Sequence, residues 1–139
     1  MKSILVGISL CLCSWPALSQ DRAAETLSKA TMQRAYACSL WASSSLLLHF
    51  PDEPYSKIAE AAFDSCPYEW LAYDSAQRQK LGGSEGTSFE ATAQVLRDMT
   101  IPQLVKIINE SKHENSVMTR LKLIEQANRL QQLYESSTQ

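Results

Sequence analysis

The sequence predicts an all-α domain organised around a disulfide-stapled antiparallel helical hairpin, and three observations predict it. No segment shows the two-residue alternation of a strand, and residues 22 to 48 contain neither glycine nor proline. Cys38 and Cys66 lie equally far from the turn His49-Phe50-Pro51-Asp52-Glu53-Pro54. In an antiparallel hairpin, residues at one height have position numbers of constant sum. Cys38/Cys66, Trp41/Phe63, Ala42/Ala62 and Ser45/Ala59 all sum to 104. Cys38, Ala42 and Ser45 share one helix face, as do Ala59, Ala62 and Cys66, and small side chains allow the close approach a disulfide requires. Trp41 and Phe63 are expected to flank that seam. Closing 28 residues (66 less 38) should stabilise the fold by about 3–4 kcal/mol in the chain-entropy model.

Residues 1–19 read as a signal peptide. Lys2 supplies the positive start, Ile4 to Trp15 the apolar run, and Ala17-Leu18-Ser19 the small residues before a cut between Ser19 and Gln20. The run is too short for a membrane span. Leu10 and Leu12 precede Cys11 and Cys13, which disfavours lipidation. Cleavage leaves 120 residues (139 less 19), one domain's length, and a single cysteine pair, as suits an oxidising compartment. The expected location is export, to the periplasm if the cell is bacterial and otherwise outside it. No stable membrane anchor is expected after cleavage.

Helix 1 is expected from an Asp21 cap through about Leu48. It carries two apolar stripes: Leu27, Ala30, Cys38, Trp41, Ala42, Ser45 and Leu48, and Met32, Tyr36, Leu40 and Leu47. A helix apolar on two sides is central, with the second helix on the cysteine side and the C-terminal helices on the other. Pro51 ends it, Asp52 can cap helix 2, and Pro54 fits a first turn. Helix 2 carries Tyr55, Ile58, Ala59, Ala62, Phe63, Cys66, Trp70 and Tyr73 in one phase, so Pro67 predicts a kink rather than a break. The hairpin unit spans 20–81. Residues 82–87 hold three of the four glycines and read as a linker, and 88–139 supply C-terminal helices of the same domain. Thr87-Ser88-Phe89-Glu90 has capping-box spacing. Thr100-Ile101-Pro102-Gln103 suggests an end near Met99 and a restart over 101–109. The last helix, Ser116 to Tyr134, shows the stripe Val117, Leu121, Ile124, Ala127, Leu130 and Tyr134, with Glu135 to Gln139 frayed.

No catalytic arrangement emerges. His49 and His113 lie at a turn and in a polar connector, without partners at useful spacing. With the cysteines committed to each other, no metal-site spacing remains, so neither metal nor cofactor is expected. No serine occupies a Gly-x-Ser-x-Gly or Ser-x-x-Lys pattern, and the serines read as helix-surface or close-packing residues. Acid pairs such as Asp52/Glu53, Glu60/Asp64 and Glu69/Asp74 are more simply caps and solvated charges. The glycine-rich stretch lacks the Gly-Lys-Ser/Thr of a phosphate cradle. With Lys2 removed, 12 basic residues face 15 acidic ones, against a nucleic-acid partner. Eight of the ten aromatics beyond residue 19 lie between Tyr36 and Tyr73. Tyr36, Trp41, Phe63 and Trp70 read as core, with an Arg34–Trp70 cation–π contact across the hairpin. Phe50, Tyr55, Tyr68 and Tyr73 are the candidate binding surface for a protein partner.

Cys38 together with Ile58-Ala59-Glu60-Ala61-Ala62-Phe63-Asp64-Ser65-Cys66 resembles small exported proteobacterial proteins that carry two cysteines on paired helices. The likeness covers roughly residues 34 to 70 and implies bacterial export and a disulfide, with no catalytic residue. The expected role is protein binding without catalysis. The alternatives are an acid- or stress-activated periplasmic chaperone, or an immunity or inhibitor protein that neutralises a toxin.

Overall fold

The computed structural model describes residues 16–82 and 89–139, all of it helix or short connection. Five helices follow in order: α1 (Pro16–His49), α2 (Tyr55–Asp64), α3 (Pro67–Lys80), α4 (Phe89–Ser111) and α5 (Ser116–Ser137). The described residues contain no strand. No helix among them is long and apolar enough to cross a membrane.

α1 is the axis of the molecule. At 1.5 Å per residue its 34 residues span about 51 Å, and it packs most extensively on α5, α3 and α2. Its start departs from the sequence reading. Asp21 is an exposed interior residue rather than a cap, because the helix runs from Pro16 straight through Ser19 and Gln20. Proline suits a first turn, and no glycine or proline follows until Pro51. Residues 1–15, which hold most of the expected signal peptide, lie outside the described residues.

A row of small and polar side chains lets α5 approach α1. Ala30, Gln33, Ala37, Leu40, Ser44 and Leu47 recur at alternating three- and four-residue steps, and all are buried. Ser44 Oγ donates to the Arg120 carbonyl (3.4 Å) and Arg120 Nε donates back to the Ser44 carbonyl (2.9 Å). Trp41 Nε1 donates to Asn128 Oδ1 (3.2 Å), and Arg34 donates to the Tyr134 hydroxyl (3.2 Å) while lying 5.3 Å from that ring's centroid. Partner numbers fall as α1 numbers rise, so the two helices run in opposite directions. Two expectations fail here. Trp41 does not flank the disulfide seam: it leans on α5, 38% exposed. Arg34 stacks on Tyr134 instead of Trp70, because α5 reaches that end of α1.

On α5 itself the buried row is Thr119, Leu123 and Ala127, whereas Val117 and Leu121 are about half exposed. The expected stripe runs Leu121, Ile124, Ala127, Leu130. Each three-residue step turns a row back by about 60°, so three in succession carry it from one face to the other. Asn115 caps α5, its Oδ1 accepting from the Val117 amide (2.9 Å), and the helix extends to Ser137 rather than fraying after Tyr134.

The two internal prolines behave oppositely to expectation. At Pro67 the chain breaks: Ser65 caps α2, Cys66 (φ −121°, ψ 49°) leaves the helical region, and Pro67 opens α3. A residue before proline avoids the helical conformation, and proline's fixed φ and missing N–H suit a first helical turn. Pro102 by contrast sits inside an unbroken α4. Pro102 is exposed, so water can serve the carbonyl it leaves without a partner. Asp52 and Glu53 are exposed, and Pro54 rather than Asp52 occupies the cap of α2, with no side-chain hydrogen bond there. Gly82, at φ +79°, takes the left-handed conformation that ends α3. Thr87 and Ser88 of the expected capping box, and the rest of the linker from residue 83, lie outside the described residues, and α4 is described from Phe89.

Two cores result. One joins Leu40, Leu47, Ile58, Ala59, Leu104, Ile108, Leu123 and Ala127. The other centres on Cys66 and Trp70 with Ala35, and Tyr36, Phe63, Tyr73 and Leu96 pack against it.

Candidate functional site: an apolar cleft beside the disulfide

Cys38 and Cys66 form the disulfide, with Cα atoms 6.1 Å apart. It ties α1 to the elbow between α2 and α3, and that elbow shapes a cleft. Phe63 and Asp64 come from the end of α2, Pro67, Trp70, Leu71 and Asp74 from α3, and Ala93 and Leu96 from α4. The cleft holds about 190 Å³, roughly the liquid volume of six water molecules.

Its floor is buried and packed. Trp70 is 3% exposed, stacks on Phe63 with centroids 5.0 Å apart, and meets Tyr36 and Tyr73 edge-on. Trp70 Nε1 donates to Ser39 Oγ (3.1 Å), which satisfies the indole in a dry environment. Both rim carboxylates are engaged by arginines. Asp64 pairs with Arg97, whose guanidinium also lies 5.7 Å from the Phe63 centroid, and Asp74 accepts from Arg78 Nε (2.9 Å). The Asp64 hydrogen bond is the largest influence on Arg97 and pushes its pKa upward. With both carboxylates held in ion pairs at the rim, the surface left open between them is that of Phe63, Pro67, Trp70, Leu71, Ala93 and Leu96, which suits an apolar group.

The four candidate surface aromatics do not form one site. Tyr68 is 82% exposed at the start of α3, close in sequence to the cleft residues Pro67 and Leu71; Phe50 is 52% exposed at the far α1–α2 turn. Tyr55 packs against the main core, and Tyr73 packs beside Trp70, its hydroxyl accepting from Gln77 Nε2 (2.7 Å). The cleft residues Leu71, Ala93 and Leu96 were not singled out from the sequence. Leu71 stands beside Trp70 but off the apolar row, 46% exposed, and that misplacement was the available signal.

No family model, curated protein or solved structure matches this chain. Among the described residues, one group of side chains approaches metal-ligand spacing: the Glu69 carboxylate with the sulfurs of Cys38 and Cys66, all within 4.8 Å. Those sulfurs are bonded to each other, and a metal takes thiolates.

Proposed function

We propose that this chain is an exported helical domain that binds another protein, without catalysis, through the cleft and the adjoining Tyr68 and Leu71. The observation that carries this reading is an open apolar cleft with a buried, packed aromatic floor, next to a tyrosine exposed over four-fifths of its surface. Interfaces gain most of their energy where aromatic and apolar groups enter such pockets and displace poorly bonded water. The scaffold is read as an antiparallel hairpin of α1 with α2 and α3. The Cys38–Cys66 bridge and the Ser39–Trp70 hydrogen bond support that pairing. Export with cleavage between Ser19 and Gln20 belongs to the same reading, since a disulfide suits an oxidising compartment.

The test is capture from envelope extract by the oxidised chain starting at Gln20. A partner retained by the wild type and by Leu133→Ser, but lost with Tyr68→Ser or Leu71→Ser, supports the cleft. Capture indifferent to both α3 substitutions assigns binding elsewhere, and a wild type that captures nothing overturns the reading. N-terminal sequencing of the exported protein checks the cleavage point separately.

A further inference from the structure

The outward side of α1 carries a second row at seven-residue spacing: Leu27, Arg34, Trp41 and Leu48. Leu27, Trp41 and Leu48 are 43%, 38% and 54% exposed. Because α5 runs beside α1 in the opposite direction, Leu121 and Val117 fall alongside Ser45 and Leu48. Trp41, Leu48, Leu121 and Val117 thus make one half-exposed apolar face around the small Ser45.

Charges of opposite sign bracket that face. Arg34 lies at one end, bonded to the Tyr134 hydroxyl but with no carboxylate partner among the described residues. Asp52, Glu53 and Glu114 lie at the other, all exposed and without an ion-pair partner among the described residues, outnumbering the neighbouring Lys112. The Pro51 turn and the His113–Glu114 connector line one common depression, so these acids belong to the same end of the molecule.

We propose that a second copy of this chain covers this face, α1 against α1 in opposite directions about a two-fold axis level with residue 43. Position numbers across such a pair sum to 86. Trp41 then faces Ser45 of the other copy, a large side chain over a small one, and Leu48 faces the part-exposed Cys38. Arg34 faces the turn that holds Asp52 and Glu53, and symmetry makes each contact twice. A parallel pairing sets Arg34 against Arg34 and the acidic ends against each other, which like-charge repulsion disfavours. This inference is independent of the cleft, since none of its residues lines that site.

The test measures molar mass by light scattering and sedimentation for the oxidised chain from Gln20, over micromolar to sub-millimolar concentrations. Two charge variants, Arg34→Glu and the pair Asp52→Lys with Glu53→Lys, are compared with their combination, with circular dichroism to verify that each stays folded. The expected result is a wild-type dimer, dissociation at least about tenfold easier in each charge variant, and recovery of the dimer when they are combined. A wild type that stays monomeric at sub-millimolar concentration overturns the proposal. So does a dimer that ignores the charge variants, or one that their combination fails to restore.

Discussion

Reducing the Cys38–Cys66 bridge should lower the stability of this domain by about 3.5 kcal/mol. The figure follows from the 28-residue separation it closes, through the loop-closure entropy that the bond removes from the unfolded chain. Domains of this size are stable by only about 5–15 kcal/mol, so the loss is a sizeable share of the total. Urea unfolding, followed by tryptophan fluorescence and far-ultraviolet circular dichroism, should show the midpoint falling by roughly 1–3 M. The denaturant slope should rise, because an unlinked unfolded chain exposes more surface. Three forms separate the causes: oxidised wild type, dithiothreitol-reduced wild type, and Cys38→Ser with Cys66→Ser. The reduced protein keeps both sulfur volumes, so its deficit reports the lost linkage. The serine pair adds the cost of placing a hydroxyl where Cys66 is wholly buried. A reduced protein within about 1 kcal/mol of the oxidised one would refute the entropic account and place the elbow's stability in its packing.

Three further outcomes follow from the same contacts. Trp70→Ala should destabilise by about 3–5 kcal/mol in urea unfolding, and Trp70→Phe by about 1–2 kcal/mol, because it strips the buried Ser39 hydroxyl of its indole partner. Burial, and secondarily the neighbouring Tyr73, raise the Tyr36 pKa above its usual 10.0, favouring the neutral phenol in the folded state. Its contribution is complete below the unfolded pKa and is lost as pH rises through the folded one, so Tyr36→Phe should flatten the alkaline decline in stability measured from pH 9 upward. Pro102→Ala should stabilise by about 2 kcal/mol, since the restored helical hydrogen bond outweighs the added freedom of the unfolded chain; a lower thermal midpoint would contradict this.

What was legible from the sequence is what covalent geometry dictates locally. Pro51 and Pro54 mark the turn between α1 and α2, and the equal distance of Cys38 and Cys66 from that turn pointed to the disulfide the two residues form. Apolar periodicity was less informative, for two physical reasons. α1 meets α5 through Ala37 and Ser44, residues that score as weakly apolar or polar yet pack closely because they are small. On α5 there are enough apolar residues for two adjacent rows, and spacing alone does not say whether Leu121 or Leu123 faces inward. The cleft was illegible because it is a consequence of the Pro67 break. Its lining also needs Ala93 and Leu96 of α4, a tertiary contact that spacing along the chain does not report.

The long reach from α1 to α5 also sets a schedule. Ser44 bonds to a residue 76 positions later, and Arg34 to one 100 positions later. At 5–20 residues per second, a chain under synthesis completes α1 roughly four to eighteen seconds before the end of α5 exists. For that interval Leu40 and Leu47 can already meet Ile58, Ala59, Leu104 and Ile108, but the α5 side of the seam, with Ser44, lacks its native partners. Final packing of α1 therefore waits on α5, and a chain cut before Ser116 leaves the α5 side of its longest helix uncovered.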